Sequence, residues 1–337
     1  MKEIFFQHKI TLLITLAVWL LVGYYLGPVA FFMVIVLSIL EITLSADNAV
    51  VNSRVLEKMS PLWQKLFLTL GIFIAVFLIR FALPVLLVAV AASQGIVSVF
   101  DLAINHPGKY GEELEKISSI INGFGGMFLF IVATFFFVNI DRAHFWVHSI
   151  EKKLSQISSV KFIKILVISL LFLLIVLLLP KGQKYLVGLS MFVAIVIYLV
   201  LHGITALMEK FEKKNRLRAQ MGWAALGSFM YLEVLDASFS LDGVVGAFAL
   251  TNNIVIIMAG LGIGALWVRT LTLHMVKHKT LEKYTFLESG AHWAILFLSL
   301  VMFLKLFHIE LPELVVGSVG LVCIVTSIYS SAHKKQL

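Results

Sequence analysis

The sequence predicts an all-α polytopic membrane protein with about ten transmembrane helices. Of its 337 residues, 60% are hydrophobic and only 14% are charged, and the mean hydropathy is +1.00. A soluble protein has about 25% charged residues and about 45–50% apolar ones. The apolar residues also form long blocks, and blocks of about 18 or more with few charges are typical of helices that cross a bilayer. This composition excludes soluble enzymes, nucleic-acid binders and disordered proteins.

We expect residues 1–337 to form a single transmembrane domain. The first apolar segment follows Lys2 and Lys9 and is similar to a signal peptide, but it lacks an A-x-A-like cleavage site and continues through Gly27-Pro28 into the second segment. We therefore predict that it is a membrane helix. The predicted spans are 10–26, 29–52, 66–92, 120–139, 162–179, 185–208, 223–250, 254–276, 291–306 and 313–331.

The basic residues indicate how the chain is oriented, because cytoplasmic loops are enriched in Lys and Arg. With the N-terminus in the cytoplasm, 19 of the 27 Lys and Arg fall in inside segments, 5 in outside segments and 3 within spans. We therefore expect both termini in the cytoplasm and, since no organelle-targeting segment is evident, a bacterial-type inner membrane. We interpret the outside segment 94–118 as a solvated loop and the inside segment 141–151 as an interfacial amphipathic stretch.

Two of the apolar segments share a motif. Residues 40–50 read LEITLSADNAV and residues 235–245 read LDASFSLDGVV. In each, an acid is followed four residues later by Ser and six residues later by Asp, and the next span contains one arginine, Arg80 or Arg269. The two motif helices are five spans apart and so cross the membrane in opposite directions. This predicts two inverted three-helix repeats, 29–139 and 223–306, joined by linking helices within 162–208.

The motif residues predict a cation site near the middle of the membrane. An ionised Asp at a helix centre costs about 2.5–3.5 kcal/mol, so buried acids usually face a cavity, pair, or bind a cation. Residues four apart share a helix face, and the second Asp, six residues on, lies about 120° away, so unwinding of either motif helix would bring the acids together. The expected ligands are Glu41, Ser45, Asp47, Asn48, Asp236, Ser240 and Asp242.

Oxygen donors of this kind favour a hard divalent cation. We expect Mn²⁺ as the transported ion, with Ca²⁺ and Mg²⁺ as alternatives, and no resident cofactor. The single cysteine excludes a disulfide framework and a thiolate metal site. Because the chain has no Walker A sequence, we expect neither ATP hydrolysis nor another enzymatic activity.

Three further charged residues are expected beside this site. Arg80 and Arg269 would hold the empty site or move onto a carboxylate during transport, and Glu233 would join the site or pair locally. The alternative is that the acids pair with the two arginines and lock helices together, or that each arginine pins a helix end.

The paired motifs, Glu41…Ser45-Ala46-Asp47-Asn48 and Asp236…Phe239-Ser240-Leu241-Asp242, resemble the TerC family of integral membrane proteins. The run LEVLDASFSLDGVVGAFALTNN resembles its DUF475 branch in particular. The resemblance implies a small inverted-repeat transporter related to LysE-type exporters, with export of divalent metal, notably manganese. The sequence differs from the TerC pattern at Gly243, where that pattern has Ser, so one hydroxyl ligand is missing.

Other functions stay open at this point. The LysE-like kinship also suggests a cationic amino-acid exporter, and a non-transporting membrane scaffold in metal or tellurite stress is a further alternative. An intramembrane hydrolase is less favoured, because no H-E-x-x-H sequence or nucleophile–base pair accompanies the acids. The expected partners are the metal ion and the lipid bilayer, without nucleic acid, and a homo-oligomer is left open.

Overall fold

The computed structural model describes residues 2–91, 93–157, 162–212, 223–251 and 253–334. All the regular elements that these residues form are helices, and a π-helix, Ile74–Ala82, lies between α4 and α5. The α-helices are α1 Lys2–Leu44, α2 Ala46–Leu56, α3 Pro61–Leu68, α4 Leu70–Phe73, α5 Leu83–Ala91, α6 Ile96–Asn105, α7 Pro107–Lys116, α8 Ser118–Phe137, α9 His148–Ile157, α10 Ile163–Leu178, α11 Lys184–Glu212, α12 Trp223–Leu250, α13 Ile254–Lys277, α14 Thr280–Lys283, α15 Leu287–Lys305 and α16 Glu313–Lys334.

Within the described part of the chain, seven helical stretches are long and apolar enough to cross a membrane. Two more apolar helices, α6 and α10, are shorter. The prediction of an all-helical membrane protein is therefore confirmed at this level. The seven stretches are His8–Leu44, Pro61–Val90, Ser118–Phe137, Lys184–Gly203, Ile254–Lys277, Leu287–Lys305 and Val315–His333.

Helix α1 is a hairpin of two helices that meet at Gly27. A straight helix of its 43 residues would be about 65 Å long, twice the thickness of a bilayer core. Gly27 has φ +88° and is followed by Pro28, and glycine adopts such a positive φ without strain. The indole Nε1 of Trp19 donates a hydrogen bond of 3.4 Å to the hydroxyl of Ser38, atoms that a straight helix would hold about 28 Å apart. The halves 2–26 and 28–44 therefore run antiparallel.

Helices α8 and α15 form the centre of the bundle and run antiparallel. The ring of Phe136, near the end of α8, stacks at 3.6 Å on that of His292, near the start of α15. At the opposite ends, Ser299 donates a 2.8 Å hydrogen bond to the carbonyl of Gly126. A Cβ atom on Gly126 would lie 3.0 Å from the ring of Phe303. Glycine thus permits close packing of these two helices.

The segment expected to be a solvated loop, 94–118, forms helices α6 and α7 instead. Tyr110 and Leu114 of α7 pack in a buried apolar cluster with Val99 and Ala103 of α6. Because these apolar residues recur at helical spacing, burial of one face is the physical reason for the difference.

Candidate functional site

The first motif contains a break in the helix at Ser45. Helix α1 ends at Leu44, α2 begins at Ala46, and Ser45 between them has φ −106° and ψ 14°. The hydrogen bond from the amide of Ala49 to the carbonyl of Ser45 is stretched to 3.4 Å. The second motif has no such break, because α12 is continuous from Trp223 to Leu250. The unwinding considered for both motifs is thus found only in the first.

A small cavity lies at this break. Glu41, Ser45 and Asp47 line it from the first motif, and Phe239 and Gly243 line it from the second. Residues of α15 and α16 complete its wall, with Lys305 at the end of α15. The space inside it that the centre of a water molecule can occupy is about 40 Å³. Since one water needs about 10–15 Å³ by this measure, the cavity has room for a few waters or one ion.

The acids of the cavity differ in their bonding. Glu41 accepts a 3.1 Å hydrogen bond from the hydroxyl of Ser45 and a short one from Arg80. Asp47 is only 4% exposed. Among the described residues, the backbone amide of Asn48, at 3.1 Å, is its hydrogen-bond donor. Asp47 is therefore a buried carboxylate to which no described cation is bonded.

The π-helix positions Arg80 against Glu41. The Nη1 atom of Arg80 donates a 3.1 Å hydrogen bond to the carbonyl of Ala75, five residues earlier on the same helix. Its Nη2 atom donates to Oε1 of Glu41. π-Helical turns are rare in proteins and occur frequently at functional sites. Here the stretch directs a buried guanidinium, 2% exposed, toward the first motif.

Arg269 binds Asp236 of the second motif and Glu233, which lies two residues before that motif. It donates hydrogen bonds of 3.0 Å to each carboxylate oxygen of Glu233 and one of 3.2 Å to Asp236. It also donates a 3.0 Å bond to the carbonyl of Phe67, whose ring lies 4.3 Å from the guanidinium carbon. A Cβ atom on Gly71 would lie 2.3 Å from Nη1 of Arg269. Glu233 thus belongs to this cluster, and α4 passes close to it at a glycine.

The two clusters interact and are unbalanced in charge. Arg80 lies within electrostatic range of both Asp236 and Glu233, so the arginine of one motif also acts on the acids of the other. Each acid and arginine of the two clusters is at most 5% exposed. Four acids against two arginines leave a formal charge of −2 if all are ionised. The acids are Glu41, Asp47, Glu233 and Asp236, and the arginines are Arg80 and Arg269.

The predicted ligands are thus brought together only in part. Asp236 pairs with Arg269 rather than lining the cavity. Asn48 and Ser240 are buried, and both amide atoms of Asn48 and the hydroxyl of Ser240 find no hydrogen-bond partner in the described part of the chain. Asp242 lies on α12, but its side chain is outside the described residues. No group of three or more His, Cys, Asp or Glu side chains within the described ranges is arranged to hold a metal ion.

The segment interpreted as an interfacial amphipathic stretch, 141–151, also contributes to a buried charge cluster. Glu151, at the start of α9, is completely buried and accepts hydrogen bonds from Arg142, from Ser289 at 3.2 Å and from the indole of Trp293 at 2.9 Å. These last two donors lie on α15, about 140 residues away in the chain. Because the partners are so distant, the helical pattern of α9 alone could not reveal them. The cluster clamps α9 to α15.

Comparison with known proteins identifies the family. The profile described as "Protein of unknown function (DUF475)" matches residues 46–337. The chain belongs to the DUF475 family. The match includes Asp47, Asn48 and the whole second motif of this DUF475 protein, while Glu41 and Ser45 precede it. No match was found among curated proteins, and none among solved structures.

Proposed function

We propose that this DUF475 protein is a secondary transporter that carries a hard divalent cation, in the first place Mn²⁺, through the cavity at Glu41, Ser45 and Asp47. The observation that carries the proposal is the cavity at a helix break, beside two clusters whose four acids outnumber their two arginines by two, while Lys305 in the cavity wall adds one positive charge. Buried charge in a membrane requires compensation. A divalent cation supplies it, and carboxylate and hydroxyl oxygens suit Mn²⁺, Ca²⁺ and Mg²⁺.

The proposed architecture has ten crossings. The two halves of α1 count separately because of the hairpin at Gly27. Helix α12 has 28 residues, and α10 has 16, of which 14 are apolar; we count each of them as one further crossing. The arginine clusters repeat across the two halves, since Glu41 pairs with Arg80 as Asp236 pairs with Arg269.

Helix directions support an inverted repeat. In one pair, Gly260 and Gly264 of α13 approach Leu37 and Glu41 of α1 in the same order, so these helices run parallel. The matching pair is the segment of α3 and α4 with α12, where Trp63 lies 5.7 Å from Phe229 and Gly71 lies beside Glu233. That order is also parallel. The third helices, α8 and α15, are antiparallel, as a two-fold axis in the membrane plane requires.

The proposed transport rests on the resemblance of the two motifs to TerC and LysE-type exporters. One repeat rocks against the other around the acidic site, with both termini in the cytoplasm of a bacterial-type cell. Arg80 and Arg269 hold the carboxylates while the site is empty, and a bound cation replaces part of that compensation. A cavity of about 40 Å³ suits an ion better than a cationic amino acid, since one water already needs about 10–15 Å³.

The second candidate is a non-transporting scaffold. The observation that favours it is the pairing of the motif acids with arginines, because Arg80 and Arg269 already bind Glu41, Glu233 and Asp236. Under this alternative the ion pairs only fix the helices relative to one another. Asp47 distinguishes the two candidates, since no described arginine pairs with it.

Reconstituted protein tests the proposal. We would measure uptake of Mn²⁺, Ca²⁺, Mg²⁺ and Zn²⁺ into proteoliposomes, with Asp47→Asn and Asp242→Asn as site variants. The matched control is Asp101→Asn, at an exposed acid of α6 that bonds Asn105 at 2.7 Å. Transport predicts Mn²⁺ flux that both site variants lose and the control keeps. Absence of flux of every ion by folded wild-type protein, or full flux in Asp47→Asn, would refute the proposed site.

A further inference from the structure

Helix α2 carries a polar face that begins at Asn48 of the first motif and continues beyond the motif to Asn52. Asn48 and Asn52 are four residues apart and so lie on one helix face, and Ser45 of the cavity comes three residues before Asn48. The two asparagines are 0% and 1% exposed. The Oδ1 and Nδ2 atoms of Asn48 and the Oδ1 atom of Asn52 lack a hydrogen-bond partner throughout the described ranges. Since the large majority of buried side-chain polar atoms in proteins are hydrogen-bonded, three unpaired amide atoms on one helix face require an explanation.

This polar face leads from the cavity to an apolar plug. Leu56, four residues after Asn52, is completely buried in a cluster around Phe67. From Ser45 to Leu56 the helix rises about 16 Å, about half of a bilayer core. The plug consists of Leu56, Met59, Phe67, Ala225, Phe229, Leu232 and Leu273.

The cavity and the plug lie toward opposite ends of the bundle. The Nε atom of Arg54, near the end of α2, is 3.4 Å from a carboxylate oxygen of Glu288, at the start of α15. The start of α15 therefore lies beside the plug. Lys305, the last residue of α15, lines the cavity, so the cavity extends toward the other end. The amide face of α2 occupies the stretch between them.

We infer that Asn48 and Asn52 form a second cation site, which the ion occupies between the carboxylate cavity and the plug. The inference rests on the proposed transport of a hard divalent cation. Amide oxygens are ligands of such cations. They are neutral and therefore hold the ion less firmly than carboxylates, and conduction requires a site weak enough to leave. The plug closes this site toward the nearer end of the bundle in the conformation described.

The test separates binding from transport. Asn52→Leu removes the amide at nearly constant volume, and Asn52→Ala removes it without any steric conflict. Mn²⁺ binding to the purified protein is followed by Mn²⁺-dependent thermal stabilisation, and Mn²⁺ flux is measured in proteoliposomes. We expect affinity to stay within about twofold of wild type while flux falls by about tenfold, the effect of losing one favourable contact. The matched control is Ser53→Ala, at the next residue, whose buried hydroxyl bonds the carbonyl of Val50 at 2.7 Å.

Each outcome decides one question. Wild-type flux in a folded Asn52→Leu or Asn52→Ala variant overturns the amide site and leaves the proposed transport intact. Loss of both Mn²⁺ binding and flux in these variants also overturns it, because Asn52 would then belong to the primary site or to the fold. Absence of Mn²⁺ binding and flux in the wild type refutes the proposed function itself. A tenfold loss in Ser53→Ala as well would assign the effect to packing.

Discussion

Removal of Arg269 should destabilise the protein strongly. The guanidinium supplies two hydrogen bonds to Glu233, one to Asp236 and one to the carbonyl of Phe67. In Arg269→Leu, two carboxylates that are at most 5% exposed lose their counter-charge. Removing one partner of a buried ion pair costs about 3–5 kcal/mol. A loss of this size is a large part of the roughly 5–15 kcal/mol by which a folded domain is stable.

Thermal unfolding in detergent, followed by the fraction of protein that stays monodisperse, measures this effect. We expect the midpoint of Arg269→Leu to fall by about 5–10 °C. The control is Arg54→Leu, because Arg54 is 51% exposed and its contacts with Glu288 and Glu57 are 3.4 Å and 3.8 Å long. Exposed pairs of this kind contribute about 0–1 kcal/mol, so this variant should unfold close to wild type.

A combined variant isolates the electrostatic cause. Adding Glu233→Gln and Asp236→Asn to Arg269→Leu removes the uncompensated charges while nearly preserving side-chain volume. Because replacing a whole buried ion pair is often close to neutral, most of the lost stability should return. Equal midpoints for Arg269→Leu and wild type would refute the reasoning. So would a combined variant that is no more stable than the single one, since the loss would then arise from packing.

Two further changes test the close approach at Glu41 and the clamp on α9. In Gly264→Ala, the new Cβ atom would lie 2.4 Å from Cβ and Cγ of Glu41, so we expect the free energy of unfolding to fall by about 1–3 kcal/mol and the thermal midpoint to fall with it. The control is Gly95→Ala, which has open space around the new Cβ atom and should leave the midpoint unchanged. Equal midpoints for the two variants would contradict the close contact. In Glu151→Gln, Arg142 loses its buried counter-charge, and we expect a protease to cleave the chain around α9 faster than in wild type, in detergent. A cleavage rate equal to that of wild type would show that the Glu151 cluster does not hold this helix.

Local sequence patterns predicted the helical architecture well. Apolar blocks and the Gly27-Pro28 pair are properties of neighbouring residues, and the hairpin in α1 forms where that pair occurs. The π-helix around Arg80 was not predicted. Within this π-helix, the hydrogen bond from the Arg80 side chain to the carbonyl of Ala75 depends on the position of the guanidinium. That position is set by Glu41, which lies on another helix and 39 residues earlier in the chain. Amino-acid type and spacing within one helix do not contain that information.

The candidate site was predicted in its composition but less well in its pairing. The duplicated spacing identified Glu41, Asp236 and the two arginines, which the structure brings together. Glu233 has no counterpart in the first motif at the same spacing, so the sequence left open whether it joins the site or pairs locally, and the structure pairs it with Arg269. Asn52, four residues after Asn48, could have been found by following the helix face beyond the motif. Asp242 as a ligand remains a prediction.

The single interruption at Ser45 makes the two copies of the motif mechanically unequal. A helix that is broken at one residue bends there more easily than one whose hydrogen bonds continue. The first copy can therefore bend at Ser45, with Glu41 on one side of the break and Asp47 on the other. The second copy, in the unbroken α12, behaves as a rigid rod. The two copies of the motif therefore differ in flexibility, and bending at Ser45 alone changes the separation of the two cavity acids.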